Sequence, residues 1–349
     1  MSEQPTTTLL DTDVSYLDCS NEASSIRTIP DHRRVWIARD ITRTDWLIKL
    51  NSKAVAEVRN AADFISNHPV GNMARTPDDL ELSECRKIFK EVKRNLDEGV
   101  GFAVVDHLPV DDYPLEVSVE LYWVLGQLIA RPVAQKRSGQ MIYDVRDISQ
   151  AYTYGVRGSW TNVELNFHTD NAFGKCPPDY VGLFCKHPAK EGGISRFCSL
   201  YAVHQRLQDH YPDALSRLYQ PMLFDRQKEH AESEPAVTLA PFFSWRYDRL
   251  FARANPSLVR KGYDVAGKCM DADLTDALNA VDEVSQSSDL WFEAALERGQ
   301  IQYLNNSEVG HYRSEFIDHD ESHLKRHLFR LWHRKHGSAC YDGGTSVLP

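Results

Sequence analysis

The side chains best suited to holding a metal ion lie in Asn166-Phe167-His168-Thr169-Asp170. In extended chain alternate residues share a face, so His168 and Asp170 can aim at one ion while Thr169 points away. Far downstream, Asn305-Asn306-Ser307-Glu308-Val309-Gly310-His311-Tyr312-Arg313 offers a third donor in His311. Two imidazoles and one carboxylate form a facial set that leaves three coordination positions open, an arrangement suited to non-haem iron(II) and dioxygen chemistry. A structural zinc site would instead be closed by four protein ligands. A histidine two residues from an aspartate is common on strand and loop surfaces. The pair gains force from its company: Gly192-Gly193-Ile194-Ser195 follows it, and Arg313, Arg326 and Arg330 follow His311.

Other groups compete for attention. His319, His323 and His327 recur every four residues, but the segment is highly charged and runs into the strand-like His327-Leu328-Phe329-Arg330-Leu331-Trp332, so a solvated loop is expected there. His333 and His336, beside Arg334 and Lys335, read as a basic surface. The seven cysteines include no C-x-x-C pair and are odd in number, which argues against a disulfide framework or a cysteine zinc site; each reads as a reduced, buried small hydrophobe. Residues 144–164, with Tyr152, Tyr154, Arg157 and Trp160 around Gly155 and Gly158, are a candidate lid. Phe242 to Phe251 reads as hairpin packing.

These residues need a frame. Apolar periodicity predicts helices over Trp46 to His68, Leu82 to Leu96, and Ser118 to Ile129. A buried strand is expected at Val100 to Val105. From Met141 onward short β-prone runs follow one another: Tyr180 to Cys185, Ile194 to Cys198, Met222 to Phe224, Phe242 to Trp245, Ile301 to Leu304 and His327 to Trp332. Helical stretches are expected at Tyr201 to Leu218 and Leu274 to Arg298. The economical architecture is α+β: N-terminal helices on a double-stranded β-helix (jelly-roll, cupin-like) core with helical insertions. Residues 1–30 read as a flexible arm and 31–349 as a single catalytic domain, its helical part at 31–130 and its jelly-roll core at about 100–335.

Composition narrows the function classes. A net charge of -10 and a pI of 5.8 remove the basic footprint of nucleic-acid and anionic-membrane binders, leaving a small-molecule substrate. No basic start precedes an apolar run, and no apolar stretch approaches the ~18 residues of a membrane span, so a cytoplasmic location is expected.

At this point the sequence resembles the taurine and chlorophenoxyacetate dioxygenases of the clavaminate-synthase-like superfamily, over about residues 100–335. The marks are Phe167 to Phe173 with Pro177-Pro178, Pro188 to Ser195, Leu296 to Asn306, His311 to Phe316, and Lys325 to Trp332. The resemblance implies an Fe(II)/2-oxoglutarate-dependent dioxygenase with O2 as second cosubstrate. His168, Asp170 and His311 would be the iron ligands. Arg326 would pair with the distal carboxylate of 2-oxoglutarate, which its planar guanidinium suits. Ser195 would add a hydroxyl where the family usually has threonine. Arg330, Arg313, Arg157, Tyr154 and Trp160 are candidate substrate contacts, and Arg249 and Arg253 are placed near the same mouth.

Hydroxylation of a small acidic or amino-acid-like metabolite or natural-product intermediate is the implied reaction, with release of succinate and CO2. Asp170 argues against halogenation, because halide needs the position that the carboxylate occupies. Desaturation, cyclisation or epimerisation would use the same ligands. Outside that chemistry stand a cupin-type metal hydrolase or isomerase and a non-catalytic metal-binding sensor; Arg326 and Ser195 lying far from the metal residues would favour these. Family members often self-associate, so a homo-oligomer is a further expectation.

Overall fold

The computed structural model describes residues 14–17, 19–27, 29, 33–71, 73–151, 153 and 155–343. Two sheets organise the chain. One runs Leu47–Ile48, Phe102–Val105, Ile301–Asn305, Tyr180–His187 and His327–Arg334, with Arg131–Val133 and Tyr143–Val145 both pairing the last strand. The other runs Trp291–Ala294, Ser195–Ser199, Val309–Arg313 and Leu165–His168. Phe102, Val104, Val181, Leu304 and Trp332 of the first sheet meet Phe197, Ala294 and Val309 of the second in one buried cluster, so the sheets face each other. Strand alternation explains this: Leu304 points inward while Ile301 and Tyr303 point outward.

Helices Ser52–Asn67, Ser83–Glu98 and Leu115–Gln127 cover the outer face of the first sheet, burying Phe89, Val92, Tyr122 and Leu125 against Tyr180, Phe184, Ile301 and Tyr303. Full burial of such a side chain contributes roughly 1.5–3 kcal/mol. The second sheet is backed by Leu200–His210, Pro212–Leu218, Pro256–Ala266 and Ala272–Gln286, with hairpin Phe243–Arg246/Arg249–Ala252. The hairpin is packing: Trp245 is buried and Tyr247 at its tip is 91% exposed.

Several expectations are corrected. The helix expected from Trp46 begins only at Ser52, where the Asn51 side chain accepts from the Ala54 amide, and Leu47–Ile48 is a strand. The stretch Tyr201 to Leu218 is two helices, because Pro212 disfavours helical backbone at Tyr211 (φ -138, ψ 54). The helix expected over Leu274 to Arg298 stops at Gln286. Trp291–Ala294 is instead drawn into the second sheet as an edge strand against Ser195–Cys198. The described part of the segment read as a flexible arm is docked: Val14–Tyr16 pairs in parallel with Val237–Leu239, and the Glu22 carboxylate is 1% exposed. His333 and Arg334 lie in the core rather than on a basic surface, because they continue the His327 strand. Of the cysteines expected to be buried, Cys85, Cys185 and Cys198 are, whereas Cys19, Cys176 and Cys340 are half-buried and Cys269 is exposed.

Candidate active site

His168 ends its strand and His311 lies on the neighbouring one, where the two are direct antiparallel partners with ring centroids 4.2 Å apart. Phe167 and Tyr312 pack on the opposite face, 5.3 Å apart, and so direct the histidines inward. Asp170 lies beyond the strand rather than on it, a correction to the expected extended His168–Asp170 segment. The following residue, Asn171, has a left-handed φ of 55, so the chain turns there and brings the carboxylate back. Asn306 holds this turn by accepting from the Asp170 amide (2.8 Å) and donating to the Asp170 carbonyl (2.9 Å).

Asp170 Oδ1 is 3.7 Å from His168 Nε2 and 3.7 Å from His311 Nε2, and one donor atom of each residue lies within 4.8 Å of the others. This is the one such metal-capable cluster among the described residues. His168 Nδ1 faces the Asn166 carbonyl at 2.7 Å, a contact that leaves Nε2 with its lone pair towards the centre. The other carboxylate oxygen, Oδ2, accepts from Trp332 Nε1 (2.8 Å) and pairs with Arg330 Nη1 (3.0 Å). Arg330 is itself oriented by Gln135 Oε1 at 2.8 Å.

The electrostatics match these roles. Burial opposes the charge on Asp170, but Arg330, the two histidines and Trp332 together hold its pKa at about 2. Burial pushes His311 down to about 3, with His168 adding to the shift, and burial also lowers His168. A neutral imidazole pair and an ionised carboxylate are the protonation states that coordinate a metal.

The same cavity is lined by Ser195, Arg313, Arg326 and Arg330, with Arg157, Asn166, Gln227, Asn255 and Ser257 further along its wall. Arg326 is buried beneath the cavity with Nη1 unpartnered, and burial lowers its pKa to about 10. No carboxylate lies within ion-pair distance of its guanidinium among the described residues, so its charge is available for an anionic ligand. Gly193 makes room for it: φ is +65, and a Cβ there would stand 3.0 Å from Arg326 Nε. Ser195 is the direct strand partner of Arg313. Arg313 and Arg326 lie 5.0 and 5.1 Å from the Phe316 ring centroid.

Other candidates fare differently. Arg313 donates through Nη2 to the carbonyls of Thr161 and Val163, tying down the chain before the first ligand strand. Arg157 lines the cavity but is paired with Glu229 at 2.5 Å. Trp160 does not line it: the indole stacks on Tyr143 at 5.8 Å and carries Lys136 Nζ 4.0 Å above its ring. Arg249 is bound to Glu308, and Arg253 is fully buried near Glu22, so neither stands at the mouth. Tyr154 lies outside the described residues. Sequence reasoning missed Trp332, Asn306 and Gln135. Trp332 had a signal, since it shares strand parity with Arg330; Gln135 had none.

Two facing sheets carrying a two-histidine, one-carboxylate centre beside a buried unpaired arginine define a mononuclear non-haem iron oxygenase type of site. The family model for "Taurine catabolism dioxygenase TauD, TfdA family" matches residues 68–332, and the chain belongs to that family. It is an Fe(II)/2-oxoglutarate-dependent oxygenase. FR-33289 synthase of Streptomyces rubellomurinus is 23% identical over 311 residues, covering 86% of this chain and 88% of that protein. A taurine hydroxylase-like protein, SAT17, of Stachybotrys chartarum is 25% identical over 309 residues, covering 85% and 77%. Among solved structures, asparagine oxygenase with Fe(II), 3-hydroxyasparagine and succinate superposes with a TM-score of 0.63 at 18% identity, covering 83% of this chain and 94% of that one. The non-heme iron oxygenase OrfP with Fe and α-ketoglutaric acid gives 0.60 at 16% identity, covering 83% and 94%. These two likenesses show the fold. No helix among the described residues is long and apolar enough to cross a membrane.

Proposed function

We propose that the chain hydroxylates a C–H bond of a small, polar, acidic or amino-acid-like metabolite, with His168, Asp170 and His311 holding iron(II) on a jelly-roll core. The observation that carries this reading is the buried Arg326 in the cavity of the three ligands, its guanidinium in no ion pair among the described residues. A buried cation beside the metal ligands fits a dicarboxylate cosubstrate that chelates the metal at its other end. Arg326, with Ser195 lining the same cavity, would hold the distal carboxylate of 2-oxoglutarate.

When bound, iron(II) and 2-oxoglutarate activate dioxygen for insertion into a substrate C–H bond, with succinate and CO2 released. The protein's part is placement. Arg330 and Trp332 keep Asp170 ionised and leave Oδ1 free for the metal. The facing sheets shield the centre from bulk water. The wall also carries the polar Asn166, Gln227, Asn255 and Ser257, which suit a small polar ligand. The 3-hydroxyasparagine and hydroxyarginine named with the structural neighbours are small amino-acid-like ligands, and the synthase among the relatives is consistent with natural-product biosynthesis.

The test is anaerobic addition of iron(II) and 2-oxoglutarate to the purified protein. A visible absorption band requiring both is expected, and it should be lost in His168→Ala and weakened in Arg326→Gln. A folded protein that binds neither would sink the assignment. Amino acids and acidic metabolites would then be screened for stimulated succinate formation.

A further inference from the structure

We infer that the segments around Glu22 and Tyr341 clamp the loop carrying Asp170, which makes these two residues positioning residues of the metal centre. The inference rests on the reading of His168, Asp170 and His311 as metal ligands. Both segments lie outside residues 68–332, the stretch matched by the family.

Asp170 has no regular strand to hold it. Its loop, residues 169–176, is tied at the start by the Thr169 amide to Ala254 O (2.7 Å) and by Asn306. Beyond that point two buried arginines hold the loop carbonyls. Arg253 Nη1 donates to Ala172 O (3.1 Å) and Gly174 O (2.9 Å). Arg334 donates to Cys176 O through Nε (3.0 Å) and Nη2 (2.5 Å).

Each arginine is fixed in turn by one of the two flanking segments. Glu22 Oε1 lies 3.7 Å from Arg253 Nη2 and accepts from Arg246 at 2.6 Å, while Glu22 Oε2 accepts from Ser244 at 2.6 Å. Ala23 is locked into a backbone bridge with Trp245. On the other side, Arg334 donates to Cys340 O (2.7 Å) and Tyr341 O (2.6 Å). Tyr341 also reaches the loop directly: its hydroxyl donates to Asn171 Oδ1 at 3.1 Å, on the residue whose left-handed turn returns Asp170 to the centre.

The physical consequence follows from burial. Arg253 is 2% exposed, and the Glu22 carboxylate compensates its charge out of water. Without that compensation the guanidinium gains by moving towards solvent, and the two loop carbonyls lose their donor. The loop then samples more conformations, and Asp170 is presented less often in the position that binds metal.

The test uses full-length Glu22→Gln and Tyr341→Phe with two readouts. In the metal-free protein, amide hydrogen exchange over residues 169–176 should accelerate about tenfold while the remainder of the core is unchanged. Cobalt(II) binding should weaken about 3–10-fold, with a changed visible ligand-field spectrum. Unchanged loop exchange and unchanged cobalt affinity in folded variants would overturn the clamp, as would a fall in thermal stability accompanied by uniformly raised exchange. Should Glu22→Gln fail to fold, Tyr341→Phe, which removes a single hydroxyl, decides by the same two readouts. Wild-type protein that binds no cobalt would count against the metal reading, while the exchange measurement still reads the clamp.

Discussion

Replacing Trp332 by phenylalanine removes the indole N–H that Asp170 Oδ2 accepts at 2.8 Å and keeps an aromatic ring in the core. A hydrogen bond to a charged acceptor contributes about 1.5–3 kcal/mol. At about 1.4 kcal/mol per tenfold, its loss corresponds to roughly 10–100-fold in the affinity that depends on a well-placed carboxylate. Arg330 still holds the same oxygen at 3.0 Å, so the lower end, about tenfold, is expected. The assay is anaerobic iron(II) or cobalt(II) titration followed by calorimetry, with thermal unfolding of the apo-protein alongside. The smaller ring also costs packing, and Trp46→Phe serves as a control because Trp46 is buried against Phe102 and Phe292, away from the ligands. Its stability should fall without a change in metal affinity. If Trp332→Phe binds metal within twofold of wild type while folded, the carboxylate is not oriented by the indole and the reasoning fails.

Arg326→Gln should raise the 2-oxoglutarate KM about 100-fold, the loss expected for a charge-assisted carboxylate contact, and leave metal affinity near wild type; an unchanged KM would remove Arg326 from the cosubstrate site. Gly193→Ala forces an L side chain into a φ of +65 and against Arg326 Nε at 3.0 Å. It should cost about 1–2 kcal/mol in urea unfolding and raise the 2-oxoglutarate KM several-fold. Acid stability gives a test remote from the metal. Burial depresses His204 and His333 to about 4 from an ordinary value near 6.5, so their stabilising neutral forms persist above the unfolded value. Stability is therefore lost as pH falls from about 6.5 towards 4, by about 2 kcal/mol for each group at pH 5. His204→Gln should flatten that dependence; an unaltered slope would show that His204 titrates normally.

The sequence carried much of the local fold. Apolar periodicity marked the helices over residues 83–98 and 115–127, and short β-prone runs marked Phe102–Val105, Tyr180–His187, Ser195–Ser199, Ile301–Asn305 and His327–Arg334 of the two sheets, because one-faced burial writes its period into the chain. It misread Trp291–Ala294 as helix, since an edge strand is created by the partner it pairs with, not by its own pattern. His168, Asp170, His311, Ser195 and Arg326 were nameable from type, order and family resemblance, and the structure gathers them around one cavity.

What only the tertiary structure decided is how charges are distributed among partners. Arg330, a candidate substrate contact, pairs with Asp170; Arg253, expected near the mouth, instead holds the ligand loop from within the core. Residue types and spacing specify which chemistry a chain can perform, because donors and acceptors are properties of side chains. Which donor meets which acceptor depends on contacts as remote as Glu22 with Ser244, and only folding brings those together.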